Sequence, residues 1–202
     1  MALPTPPPAF ATARLSLATV DAGARFQRIY HRRFPDPLGV GKAPSRFSDP
    51  RRRVPDHRFG VLYLGSSLRV CFLEALLRDQ RDGVVGDWLL EEAELDARQV
   101  AEIEVREPLT LLDLREGHPV RMGIPSDVVR GSNHTLARRW SVAFHEHPAQ
   151  VDGLIHPSRL NGETNLAVYN RGIPKLGADA VMPLRRAAEL TAVLDEFEVA
   201  LI

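Results

Sequence analysis

A single cysteine, Cys71, excludes an internal disulfide. Without clusters of cysteine or histidine there is no zinc site to propose. The seven histidines are scattered, and His145-Glu146-His147 reads as a polar cap near a helix end. Aromatic residues make up only 6% of the chain, which leaves few stacking platforms for single-stranded nucleic acid. No apolar run approaches the roughly 20 residues that span a bilayer. The opening stretch, MALPTPPPAFATARLSL, has neither the basic start nor the long apolar core of a signal peptide, so a cytoplasmic location is expected. The G-x-S-x-G elbow, the Walker-type phosphate loop, G-x-G-x-x-G and H-E-x-x-H are all missing. That removes the commonest hydrolase, NTPase, dehydrogenase and zinc-protease readings.

What is present fits one soluble domain: 202 residues, 44% hydrophobic and 26% charged. The zero net charge conceals a split. Residues 1–60 carry 11 Lys and Arg against 4 Asp and Glu, and the remainder is acidic by the same margin. A segment this basic points to an anionic partner (a phosphate-bearing ligand, nucleic acid or an acidic protein), or to internal pairing with the acidic part. Residues 1–20 read as an N-terminal arm with a short amphipathic piece, and 21–202 as a single domain.

The stretch 58–78, RFGVLYLGSSLRVCFLEALLR, organises the rest. Val61 to Leu64 is a buried-strand pattern, broken by Gly65-Ser66-Ser67, where either serine can cap a helix. Val70, Leu73 and Leu77 mark the inward face of that helix. Glu74 lies beside this stripe, where a carboxylate is either kept for chemistry or joined to Arg78 in an ordinary i,i+4 ion pair. Before it, 24–34 alternates as a strand with Arg28 on the side of Phe26 and Tyr30. Residues 35–57 are a long loop in which 45–48 is the one ordered-looking piece, and Arg51-Arg52-Arg53 reads as a solvated run. After it come a short helix around Trp88-Leu89-Leu90, strands near 100–105 and 109–114, and a loop punctuated by Gly117, Pro119, Gly123 and Pro125. A helix follows to about His145 with Leu136, Trp140 and Phe144 inward. Two strands then flank a polar loop within 151–171, with Ser158 at a strand end. A helix near 188–194 and a strand near 198–202 close the chain.

Arg28, Arg46, Glu74 and Ser158, with Phe26-Gln27-Arg28-Ile29, Arg46-Phe47, Val61-Leu62-Tyr63-Leu64 and Asp152-Gly153-Leu154-Ile155 around them, resemble the RES domain, named for Arg, Glu and Ser. The resemblance covers roughly residues 24–202. Ser45 stands where a glycine often precedes Arg-Phe, and His156 where an aromatic such as tyrosine is common. The resemblance implies an α+β fold of mixed, mainly antiparallel sheets with flanking helices, similar to the ADP-ribosyltransferase toxins. It also implies the toxin of a bacterial type II toxin–antitoxin pair that consumes NAD+ as substrate and needs no metal. The implied partner is an Xre-type antitoxin whose C-terminal segment plugs the pocket. The implied acceptor of ADP-ribose is phosphate, water or a protein side chain.

On that reading Glu74 stabilises the oxocarbenium-like transition state, as carboxylates do in glycosidases. Arg28 and Arg46 hold the pyrophosphate, Ser158 orients nicotinamide or its ribose, and Tyr63 stacks on nicotinamide. The competing class is a nucleic-acid-binding protein or nuclease using segment 25–58, with binding that weakens steeply in salt.

Overall fold

A computed structural model describes residues 5–41, 43–51, 57–78 and 80–202. In chain order the elements are β1 Leu17–Val20, β2 Arg25–His31, β3 Val61–Gly65, α1 Leu68–Phe72, β4 Trp88–Leu90, α2 Glu92–Asp96, β5 Arg98–Val105, β6 Leu109–Asp113, α3 His118–Arg121, α4 Ser126–Arg130, α5 His134–Glu146, β7 Gly153–Pro157, β8 Thr164–Tyr169, β9 Leu176–Pro183, α6 Leu190–Glu196 and β10 Val199–Leu201. A π-helical turn, Leu73–Leu77, continues α1. Eight strands form one sheet in the order β1-β6-β7-β8-β3-β2-β5-β9, while β10 and β4 form a small parallel pair. Only β6 and β7 run parallel within the large sheet. The chain therefore has the expected α+β architecture with mainly antiparallel strands and flanking helices.

The break in this sheet positions the site. β2 is paired with β5 along its whole length, from Arg25↔Glu104 to His31↔Arg98. β3 is likewise paired with β8 throughout. Between β2 and β3, however, the only register is Gln27↔Gly65. The strands meet at one end and splay apart, and the edge of β3 left behind is closed by a bridge from Gly41 to Val61. The Val61 N–H and C=O are thus partnered by Gly41, and a cleft opens between two well-held strands.

Apolar packing secures both sides. α5 turns Leu136, Trp140 and Phe144 inward at the expected spacing, and Asn133 caps it by accepting from the Thr135 N–H. Phe10, 3% exposed, meets the Trp140 ring edge-on at 5.2 Å. β1 pairs with β6. Residues 8–20 are therefore built into the domain rather than standing apart as an arm; their two anchor points are too sparse among prolines to show a period. Residues 1–4 lie outside the described residues.

Three other expectations change. Trp88-Leu89-Leu90 is a strand, because its register is set by β10, 111 positions away in Trp88↔Val199, and not by local helical propensity. The punctuated loop at 117–125 holds α3, and α4 follows at once. β9 was not anticipated: LGADAVMP is an edge strand with its outer half exposed, so no alternation marks it.

Candidate active site

The cleft between β2 and β3 is a cavity of about 330 Å³, lined by Arg28, Arg46, Tyr63, Glu74, Arg78, His156, Arg159 and Asn165 among others. The local sequence explains how Glu74 reaches it. Gly65 ends β3 where a Cβ would lie 2.6 Å from Val70 Cγ1 and 2.7 Å from Cys71 Sγ, so only glycine lets strand and helix approach this closely. Ser67 caps α1 by accepting from the Val70 N–H at 3.1 Å. The helix then widens: the Arg78 N–H donates to Leu73 O, an i→i+5 bond. Leu73, Leu76 and Leu77 stay buried through the widened turn, while Glu74 lines the cavity.

Glu74 is held on one oxygen. Ser158 Oγ donates to Glu74 Oε1 at 2.8 Å, and Asn165 Nδ2 donates to the same atom at 3.3 Å. The Ser158 hydroxyl accepts from the Leu160 N–H at 3.1 Å, which leaves its proton for the carboxylate. Oε2 stands 3.7 Å from Arg78 Nη1. The i,i+4 pair exists, but it occupies the oxygen that the two neutral donors leave.

Each candidate arginine is tethered by one nitrogen to a backbone carbonyl. Arg28 Nη1 donates to Pro37 O at 2.5 Å, with its guanidinium 5.3 Å from the Tyr30 ring centroid. Arg46, only 7% exposed, donates from Nη1 to Gly131 O at 2.8 Å. Burial lowers both guanidinium pKa values from their ordinary value, yet an arginine so shifted keeps its charge at neutral pH. Tyr63 ties the Arg46 loop to β3: its hydroxyl accepts from the Phe47 N–H at 2.8 Å and lies 3.0 Å from Ser45 Oγ. Ser45, the departure from glycine, thus adds a bond to the same anchor.

Four of the five sequence candidates, Arg28, Arg46, Tyr63 and Glu74, line the cavity together. Ser158 stands behind them as the hydrogen-bond partner of Glu74. Sequence reasoning missed Asn165, which fell within the stretch 151–171 read as two strands around a polar loop. Arg78 entered only as an ion-pair partner, and Arg159 also lines the cavity. The signal for Asn165 was its place at the start of a strand paired with the His156 strand. Arg51 is not a solvated residue. It pairs with buried Asp49 at 2.7 Å and with Glu146, and so ties the Arg46 loop to α5. Burial alone would raise the Asp49 carboxyl, but the Arg51 hydrogen bonds outweigh it and hold it below its ordinary value. Arg52 and Arg53 lie outside the described residues. Arg25 pairs with Glu102 and, at 3.9 Å, with Asp179. Arg25, Arg28, Arg46 and Arg51 of the basic segment therefore serve internal pairs or the cavity, which leaves fewer cations for the nucleic-acid alternative.

Two histidines predict a pH response. Burial pushes His145 and His156 down to about 4, with Arg171 and Arg46 respectively adding charge repulsion. Below about 6.5 the unfolded chain takes up protons that the folded protein refuses until about pH 4. Stability is thus expected to fall as pH drops through that window, by on the order of 1–3 kcal/mol for a fully buried imidazole. Urea unfolding at pH 7 and pH 5 checks this, and the dependence should flatten in His156→Phe.

With this geometry in view, the comparisons are specific. The RES domain family matches residues 21–195. A protein described as "Probable toxin y4kH" from Sinorhizobium fredii (strain NBRC 101917 / NGR234) is 37% identical over 127 residues, which are 62% of this chain and 100% of that protein. A chain in the crystal structure of the M. tuberculosis MbcT–MbcA toxin–antitoxin complex shares the fold, with a TM-score of 0.60 and 18% identity over 89% of this chain and 91% of that one.

Proposed function

The chain belongs to the RES domain family, and on that premise we propose that it is the toxin of a toxin–antitoxin pair and cleaves the nicotinamide–ribose bond of NAD+. One observation carries the reading: a carboxylate fixed by Ser158 and Asn165 shares a cavity with four arginines. A dinucleotide needs both kinds of charge. Its pyrophosphate takes the forks of Arg28 and Arg46, and its scissile end takes Glu74. As the C1′–N bond breaks, the electron pair leaves with nicotinamide and the ribose ring becomes cationic. Glu74 stabilises that cation and accepts from a ribose hydroxyl. The acceptor oxygen or nitrogen then attacks C1′. Tyr63 supplies a ring for nicotinamide.

The resemblance gives Ser158 the task of orienting nicotinamide or its ribose; its hydrogen bonds support a second part. Its proton goes to Glu74 and one lone pair to the Leu160 N–H, which supports a role in positioning the carboxylate. Ser158→Ala is expected to lower kcat about 10-fold, less than loss of the carboxylate charge. It should add little in a Glu74→Gln background, because the two act as one unit. Steady-state kinetics of the single and double variants checks this.

The partner on this reading is an Xre-type antitoxin whose C-terminal segment fills the cavity and blocks NAD+. The test is nicotinamide release from NAD+ by the purified protein, with and without phosphate. Phosphate-dependent release marks a phosphorylase and phosphate-independent release a hydrolase. Release that needs cell extract marks transfer to a protein. An intact fold with no release in any arm overturns the proposal.

A further inference from the structure

We propose that Ser141, on the buried face of α5, is a positioning residue for the substrate: its hydroxyl fixes the backbone of Phe47 and thereby aims Arg46 at the pyrophosphate. The inference rests on the NAD+ reading and deepens it by adding a residue that touches no substrate. Ser141 is fully buried on the helix that also buries Ala137, Trp140 and Phe144. A hydroxyl in so apolar a setting is costly unless it is bonded. Alanine would fill the place and is the better helix former, so the helix itself gives no reason for serine. The reason lies 94 positions away, where Ser141 Oγ donates to Phe47 O at 2.7 Å. The Tyr169 hydroxyl lies 3.1 Å from the same Oγ. Ser141 has one proton and gives it to the carbonyl, so Tyr169 is the donor in this second contact.

Phe47 is held from its other side as well. Its N–H donates to the Tyr63 hydroxyl at 2.8 Å. Val61 is the partner of Tyr169 and Tyr63 of Ala167 across β3 and β8, so the two tyrosines stand on one face of the sheet. One holds the Phe47 N–H directly, and the other reaches its C=O through Ser141. Phe47 is itself fully buried, so the backbone beside Arg46 is clamped between the sheet and α5. Arg46 follows from that clamp: its guanidinium donates to Gly131 O at 2.8 Å and lines the cavity. A planar fork works on a pyrophosphate only when its backbone is set beforehand, since a shift of about 1 Å costs up to ~10²-fold. Without the Ser141 hydroxyl a buried carbonyl loses that donor, and the loop moves to recover a partner.

The test is steady-state kinetics with NAD+ and calorimetric titration of ADP-ribose, applied to Ser141→Ala. ADP-ribose keeps the pyrophosphate and lacks nicotinamide, so it reports binding without bond cleavage. KM for NAD+ should rise at least ~5-fold with kcat changed less than ~2-fold, and ADP-ribose should bind more weakly by a factor close to that in KM. In an Arg46→Met background the same substitution should change KM less than ~2-fold, because no fork is left to aim. A hydroxyl that served the fold alone would lower the thermal midpoint and leave KM and ADP-ribose binding as in wild type. That result, or a KM effect that persists in full without Arg46, overturns the inference and leaves the NAD+ reading standing. Should Ser141→Ala fail to fold, Tyr169→Phe decides. It keeps the ring packed on Phe59 and His145 and removes only the outer donor. KM should then rise at least ~3-fold through the weakened relay, and an unchanged KM overturns the inference. Wild-type protein that releases no nicotinamide and binds no ADP-ribose overturns both.

Discussion

Glu74→Gln is expected to fold normally and to turn over NAD+ at least ~10²-fold more slowly, the scale of losing a main electrostatic stabiliser. Glutamine keeps the length and shape of the side chain. Its amide oxygen can still accept from Ser158 Oγ and Asn165 Nδ2, the two donors that hold Glu74 Oε1. What disappears is the negative charge, and with it the stabilisation of a cationic sugar ring. The apolar face of the helix does not depend on that charge, since Leu73, Leu76 and Leu77 are buried on their own account. The loss should therefore appear in kcat, with the thermal midpoint little changed. An ion pair with Arg78 at 3.7 Å, partly exposed, contributes too little to stability for its loss to mimic this effect. Near-normal turnover would reduce Glu74 to that pair.

Arg46→Met is expected to raise KM for NAD+ by roughly 10- to 100-fold with kcat much less affected, the range for losing charge-assisted hydrogen bonds to a phosphate. Methionine preserves most of the aliphatic stem in a position only 7% exposed, so packing against the core is largely kept. The loop itself stays anchored by the Tyr63 hydroxyl and by the Arg51–Asp49 pair. Arg46→Lys should not restore binding: an ammonium is a point charge and cannot bond Gly131 O and a pyrophosphate in one planar fork. Steady-state kinetics and calorimetric titration of the three proteins separate these outcomes, and an unchanged KM in Arg46→Met would remove Arg46 from the pyrophosphate site.

The parts legible in the sequence were those fixed by local chemistry. The β3–α1 unit, a serine cap (Ser66 or Ser67 in the pattern, Ser67 in the structure) and the inward stripe of α5 follow from short-range pattern. The parts that were not legible depend on distant partners. β4 exists because β10 pairs with it, and Phe10 is ordered because α5 offers it a surface. The π-helical turn under Glu74 has no composition signature, although it sits at the residue the sequence marks as out of pattern. Ser158 was legible as a candidate through the family resemblance, but its hydrogen-bond partner Glu74 was not, because the contact joins positions 84 apart. Arg51 misled for the opposite reason: a run of three arginines looks like a solvated face until buried Asp49 is seen beneath it.

The most direct measurement is a crystal structure of Glu74→Gln with NAD+ bound, since that variant should bind the dinucleotide without consuming it. The account predicts the pyrophosphate between Arg28 and Arg46, the ribose C1′ beside the residue 74 carboxamide, and nicotinamide against Tyr63. NAD+ bound outside the β2–β3 cleft, or bound in it with the nicotinamide–ribose bond remote from residue 74, would contradict it.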